Sequence, residues 1–367
     1  MTSISDVGLD VFNGPHFDMG FQQGKLYKQK IDDMWNIANE SASNIKPKFL
    51  PKSLFFWIGK RRATKMYKKL IERYATRQAE RIRGISEGSN TDLKTLYMYQ
   101  AEEANLGPRC TSIGILPEKS STGDVLMGRN FDLFRSLIPS YVGRRNIPKD
   151  RFLNIDFGLC SFAGNFHGMN EKGLAITYNY ALPTDEFKPG VPPSILIQEA
   201  LENCATTKEA VKVFQDNPKG NGAILLVGDA SGDIQTVEMS CNRLTVRQPQ
   251  EGFIINTNHY LTDEMKPIDI KEKELRESTE KRYDRAERLL SDASMIDEET
   301  LQEILKDHGP DGKPGCPFTI CRHGDPIGTT MSLVFNLNKR IMSVAIGNPC
   351  QSQFKKFEMH PQDSKRE

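Results

Sequence analysis

Residues 107–112 read Gly107-Pro108-Arg109-Cys110-Thr111-Ser112, and the pattern of the 367-residue chain changes there. Proline bars its predecessor from the α region and has no N–H to donate, so a helix cannot run through this stretch. On its N-terminal side, apolar residues recur at helical spacing over 19–35, over the basic stretch 55–82 and over 93–105. On its C-terminal side, short strands are predicted at 111–116, 125–131, 152–157, 161–166 and 174–178. Turn signals at Thr122-Gly123-Asp124 and Asn170-Glu171-Lys172-Gly173 lie between them, which reads as an antiparallel meander.

Further out, helices are expected at 194–203 and 207–214, followed by strands at 223–227, 234–239, 243–247 and 252–256. The charged run 271–290 is helical in its second half, 297–306 reads as another helix, and 330–336 and 341–346 close the pattern as paired strands. Strand and helix blocks that do not strictly alternate predict an α+β protein with an antiparallel sheet layer. With no internal repeat or low-complexity linker, one compact body is expected.

Lysine plus arginine (49) balances aspartate plus glutamate (48), which gives no reason to expect a nucleic-acid partner. No apolar run approaches the roughly 20 residues that cross a bilayer. Asp6 and Asp10 stand where a signal peptide would be apolar, so a cytoplasmic chain without a transmembrane segment is expected. Seven cysteines without framework spacing read as reduced thiols. Cys316, Cys321 and His323 form C-x4-C-x-H but lack the second close pair of a structural zinc site, so no metal is expected. Gly220 and Gly222 beside Lys219 match no phosphate-cradling pattern, so no cofactor is expected either. The apolar run 55–58, followed by Lys60, Arg61 and Arg62, reads as a helix packed on the core rather than a membrane-docking face.

Cys110 stands where the first of these strands begins, and the second carries Gly128-Arg129-Asn130-Phe131-Asp132. A hairpin through Gly123-Asp124 returns the far end of that strand beside Cys110, with Arg129 and Asp132 flanking the thiol. A cation stabilises thiolate, and a carboxylate can hold the arginine or an ammonium group. The plainer alternatives are a surface ion pair, or a thiol-protease arrangement with His167, His259 or His323 as base.

Cys110-Thr111-Ser112 followed by 128–132 resembles the choloylglycine-hydrolase-like N-terminal-nucleophile (Ntn) hydrolases, particularly the acyl-CoA:6-aminopenicillanic acid acyltransferase branch. Segments 16–24, 80–88, 168–175, 227–232 and Asn256-Thr257-Asn258-His259-Tyr260 are similar to family segments and occur in the same order. So is the C-terminal stretch from Cys321-Arg322-His323 through Thr330-Met331-Ser332 to Gly347-Asn348-Pro349-Cys350, so the resemblance runs over nearly the whole chain. It implies a four-layer αββα sandwich, with residues 1–109 a helical leader and 110–367 the catalytic domain.

It further implies a zymogen that cuts itself between Arg109 and Cys110, with both pieces staying associated. Cys110 then supplies the nucleophilic thiol and, through its new α-amino group, the general base. Arg129 and Asp132 match the residues that orient it, Asn258 and Asn179 match oxyanion-hole asparagines, and Arg282, in preference to Arg285, matches a late catalytic arginine. Implied substrates are linear non-peptide amides or acyl-CoA thioesters. One departure stands out: the family cuts after glycine, which best tolerates the strained carbonyl geometry, whereas here Arg109 precedes the nucleophile. The rival expectation is therefore an uncleaved, non-catalytic ligand-binding or scaffolding protein.

Overall fold

The computed structural model describes residues 8–102, 109–314 and 317–360; Gly107-Pro108 and Cys316 lie outside them. The N-terminal region opens with strand β1 (Leu9–Gly14). Six helices follow: α1 (His16–Leu26), α2 (Lys28–Ile45), α3 (Lys52–Ala63), α4 (Lys69–Tyr74), α5 (Thr76–Ser89) and α6 (Leu93–Glu102). The expected helices are present as far as the described residues reach, with 103–105 of the last one outside them and 55–82 broken at Ala75.

After Cys110 come β2 (Thr111–Ile115), β3 (Leu126–Phe134), β4 (Tyr141–Pro148), β5 (Asn154–Leu159), β6 (His167–Asn170) and β7 (Ala175–Tyr180). Helices α7 (Pro193–Asn203) and α8 (Thr207–Asp216) precede β8 (Ala223–Gly228), β9 (Ile234–Met239), β10 (Leu244–Arg247) and β11 (Phe253–Asn256). The chain ends with α9 (Lys273–Asp292), α10 (Glu298–Leu305), β12 (Ile327–Asn336), β13 (Ile341–Ile346) and β14 (Lys355–Glu358).

The strands form two sheets, ordered β1-β4-β5-β6-β7-β8-β9-β10 and β11-β2-β3-β12-β13-β14, antiparallel except for the β1–β4 pair. Residues of β2 and β11 meet those of β7, β8 and β9 across the gap, so the sheets pack face to face. Helices α7 and α8 cover the outer face of the eight-stranded sheet, and α9 and α10 cover that of the six-stranded sheet. This is an α+β protein with a four-layer αββα sandwich. β2, β5, β7 and β8 are buried along their whole length because both of their faces are covered. Among the described residues no helix is long and apolar enough to cross a membrane.

Three expectations are corrected. The strands from 111 to 178 do not form one meander: β2 and β3 belong to the six-stranded sheet, and the chain crosses to the other sheet through 135–140. The segment 161–166, apolar and rich in phenylalanine, is a buried loop. Its carbonyls serve side chains instead of a ladder: Gln23 and Arg144 donate to Phe162 O (3.0 and 2.5 Å), and Arg144 also to Gly164 O (3.0 Å). The N-terminal region is not wholly helical, since β1 extends the eight-stranded sheet at its edge.

That region is bound through buried polar contacts as well as packing. His16 meets Glu202 of α7 at 2.7 Å, Gln78 donates to the same carboxylate at 3.1 Å, and Arg81 donates to Gln23 and to Asn146 of β4. Helices α1 and α5 touch through glycines: a Cβ at Gly20 would strike the Arg81 carbonyl, and one at Gly84 the Phe17 carbonyl. The segments 16–24 and 80–88 are thus two halves of one close helix crossing. Of the run 55–58, Phe56 is buried against Trp35 while Trp57 and Ile58 are exposed.

Candidate active site

Cys110 is fully buried one residue before β2, which pairs with β3 so that Ser112 lies opposite Arg129. Arg129 reaches back along this pair: its Nη2 donates to Cys110 Sγ at 3.3 Å and its Nη1 to Phe166 O at 2.9 Å. Its guanidinium also sits 4.9 Å from the centre of the Phe131 ring. The Asp132 carbonyl accepts the Arg109 N–H at 3.3 Å. The Asp132 side chain takes the Thr329 hydroxyl on Oδ1 at 2.7 Å, whereas Oδ2 is buried with no donor.

Thr329 is in place because β12 carries a bulge between Thr329 and Met331 opposite Asp132 and Phe131. The extra residue, Thr330, bonds Tyr141 OH at 2.7 Å and Phe131 O at 3.0 Å. Bulges re-aim side chains in this way next to functional sites. Sequence reading missed Thr329; its one trace is the Thr329-Thr330 pair at the start of a strand that must lie beside β3.

On the other side of Cys110, Asn179 reaches from β7 across the gap between the sheets. Its Oδ1 accepts Ser112 Oγ at 2.5 Å, and its Nδ2 donates to Asn256 O and Thr257 O at 3.0 Å each and to Cys110 O at 3.4 Å. Arg282, buried on α9, donates through Nη1 to Cys110 O at 2.5 Å and Thr111 Oγ1 at 3.0 Å, and through Nη2 to Asn258 Oδ1 at 2.9 Å. Asn258 Nδ2 donates to Tyr180 O at 2.7 Å. Arg285 faces away and pairs with Asp307. The six candidate residues Cys110, Arg129, Asp132, Asn179, Asn258 and Arg282 therefore form one connected cluster.

Burial governs its electrostatics. It pushes the Cys110 thiol up against the opposing pull of Arg129, and it lowers the Arg129 guanidinium. It also lifts the Asp132 carboxyl to about 6, with Arg282 and Thr329 opposing, and lowers Arg282 to about 10. His167, edge-on to Phe131 at 5.4 Å, is held well below the usual imidazole range by burial and by Arg129. His259, between the hydroxyls of Thr257 and Thr279, is pushed to about 3 by burial. Among the described residues no histidine bonds Cys110, and His323 lies with His308, Cys321 and Cys350, the one group able to ligate a metal.

Beside Tyr180 opens a cavity of about 450 Å³, lined by the apolar Met66, Met98, Leu182 and Phe187 together with Arg62 and Asp185.

A family model described as acyl-coenzyme A:6-aminopenicillanic acid acyl-transferase matches residues 118–351, which include Arg129, Asp132, Asn179, Asn258 and Arg282 and begin after Cys110. No curated protein matches the chain. Among solved structures, a variant of conjugated bile acid hydrolase from Clostridium perfringens is 14% identical, over 68% of this chain and 97% of that one, with a TM-score of 0.46. The N-acylethanolamine-hydrolyzing acid amidase ortholog of Caenorhabditis elegans is 16% identical over 62% and 93%, with a TM-score of 0.44. Penicillin V acylase from Agrobacterium tumefaciens is 16% identical over 69% and 87%, with a TM-score of 0.45.

Proposed function

This chain belongs to the acyl-coenzyme A:6-aminopenicillanic acid acyl-transferase family, and from that premise we propose a self-processing amidase or acyltransferase whose nucleophile is the Cys110 thiol. The supporting observation is the convergence of buried donors on Cys110: Arg129 on its sulfur, Arg282 and Asn179 on its carbonyl. A buried thiol that meets only packing partners would not be surrounded in this way.

In processing, Sγ attacks the carbonyl carbon of Arg109. The new S–C bond replaces the C–N bond, the nitrogen of Cys110 takes up the thiol proton, and water then cleaves the thioester. The products are a carboxylate on Arg109 and a Cys110 with free thiol and amine. Asp132 Oδ2, buried without a donor, is suited to accept a hydrogen bond from that amine. The 1–109 piece stays attached through β1, His16–Glu202 and the glycine-lined α1–α5 crossing.

In turnover, the amine takes the thiol proton and the thiolate adds to an amide or thioester carbonyl. The developing oxyanion is held by Asn258 and backbone N–H groups. Asn179 is better read as a positioning residue, because its Nδ2 already serves three main-chain carbonyls. As the intermediate collapses, the Cys110 ammonium returns its proton to the departing amine nitrogen or thiolate, leaving a thioester on Cys110. Water or an amine then attacks as the neutral α-amine takes its proton, and that proton returns to the released thiolate. The cavity beside Tyr180 suits an apolar acyl group.

Intact mass and N-terminal analysis of wild type beside Cys110→Ala test the reading. Splitting at Arg109–Cys110 in wild type alone supports it. An intact wild-type chain that forms no acyl adduct would sink it in favour of the uncleaved, non-catalytic protein.

A further inference from the structure

We propose that His308, Cys321, His323 and Cys350 form a structural zinc site. Their four ligand atoms lie within 4.8 Å of one another. The two imidazole Nε2 atoms are 3.2 Å apart, the two Sγ atoms 3.6 Å apart, and His323 Nε2 lies 3.1 Å from Cys350 Sγ and 3.6 Å from Cys321 Sγ. Tetrahedral zinc with two sulfur and two nitrogen ligands implies spacings of about 3.8 Å between sulfurs, about 3.6 Å between sulfur and nitrogen, and about 3.3 Å between nitrogens. These four edges lie within about 0.5 Å of that polyhedron, and the two from His308 to the sulfurs are no longer than 4.8 Å.

Three separate segments deliver them: the loop after α10 (His308), the loop before β12 (Cys321, His323) and the loop after β13 (Cys350). Each is anchored independently of any metal. Cys321 N donates to Asp307 O at 2.9 Å, and Asp307 is clamped by Arg285. Asn348 Nδ2 donates to Arg322 O at 2.8 Å and approaches Cys321 Sγ at 3.9 Å, while its Oδ1 accepts Arg135 Nη1 at 2.8 Å. Supporting contacts of this kind orient metal ligands. Four protein ligands close the coordination shell, which is the pattern of a structural and not a catalytic zinc.

The site has a bearing on Cys110 without belonging to its cluster. Thr329 Oγ1, which donates to Asp132, also accepts the N–H of Arg322, between two of the ligands. Zinc would pin the loop that sets Thr329. The sequence pattern does not point to these four because His308 and Cys350 are remote from the Cys321-x-His323 pair.

The full-length chain, produced with zinc in the medium and purified under reducing conditions, is expected to carry about one zinc per chain by elemental analysis. Cys321→Ser and Cys350→Ser should each lose it at least tenfold, and Cys204→Ser should keep it. Wild type grown on cobalt in place of zinc gives a second reading that does not depend on how well the serine variants fold. A thiolate-to-cobalt charge-transfer band is expected, and its absence counts against the site. Zinc-free wild type, zinc retained by Cys321→Ser/Cys350→Ser, or a Cys321–Cys350 disulfide in place of metal would overturn the proposal. Chain cleavage at Cys110 is scored separately, so failure of either reading leaves the other standing.

Discussion

Arg282 Nη1 lies 2.5 Å from the carbonyl oxygen of Cys110, and its Nη2 holds the Asn258 side chain, so one buried guanidinium ties α9 to the start of β2 and to the turn after β11. Removing it takes from the buried Cys110 carbonyl its short donor, leaving only Asn179 Nδ2 at 3.4 Å, and takes the Nη2 donor from the Asn258 amide oxygen. Arg282→Met is expected to cost about 2–4 kcal/mol, because buried neutral acceptors lose a donor, and to abolish processing. Arg285→Met, which breaks a partly exposed pair with Asp307, is expected to cost no more than about 1 kcal/mol. Urea unfolding of the two variants checks this, and equal losses would remove the special place given to Arg282.

Arg109 stands where the resemblance drawn from the sequence implies glycine. Forming the tetrahedral intermediate twists the carbonyl of that residue, and glycine adapts to strained backbone more easily than arginine does. Arg109→Gly should therefore split faster than wild type, by roughly tenfold or more if strain of about 1.4 kcal/mol or more is relieved. The fraction cleaved against time on a denaturing gel decides it; an unchanged rate would clear the arginine side chain as the obstacle.

Much of this was legible in the sequence, and the limits have physical causes. The helices of the N-terminal region, and strands such as β8 and β9, announce themselves because apolar spacing matches one covered face or a continuous buried run. β1 does not, because only Phe12 of its six residues is buried. β4 hides behind Arg144 and Asn146, polar residues that are buried because Asp156 meets both. The loop 161–166 has strand composition, yet its carbonyls are taken by Gln23 and Arg144, which no local pattern records. In the site, the hairpin reading placed Arg129 and Asp132 beside Cys110, whereas Asn179, Asn258 and Arg282 came only from the family resemblance. That Asn179 spends its amide on three carbonyls, or that a bulge brings Thr329 to Asp132, depends on pairings between distant strands.

Asp132 should make stability depend on pH. Its carboxyl is raised from 3.8 to about 6 by burial, so the folded state prefers it protonated. That contribution is fully present below about 3.8, shrinks as pH rises toward 6, and is gone above it; the span is about 3 kcal/mol. Asp132→Asn keeps an acceptor for Thr329 while removing the ionisation. It is expected to be more stable than wild type at pH 8 by up to about 3 kcal/mol, with the difference fading near pH 4 and processing lost throughout. Unfolding midpoints measured across pH 4–8 test this, and a variant less stable than wild type at pH 8 would show that Asp132 ionises more easily than its burial implies.

The attachment of the N-terminal region can be tested with two glycines of opposite surroundings. A Cβ at Gly84 falls on the Phe17 carbonyl and the Phe21 N–H, main-chain atoms that cannot turn aside, whereas one at Gly59 meets only Met98 Sδ at 3.5 Å, an ordinary contact. Gly84→Ala should cost at least about 2 kcal/mol by prising α1 from α5. Gly59→Ala should gain about 0.5–1 kcal/mol, since alanine loses less backbone freedom in a helix. Thermal melts give the signs. Once the chain is split, Gly84→Ala should also loosen the 1–109 piece so that less of it co-purifies with the remainder. If both substitutions act alike, the crossing of 16–24 with 80–88 is not what holds that region in place.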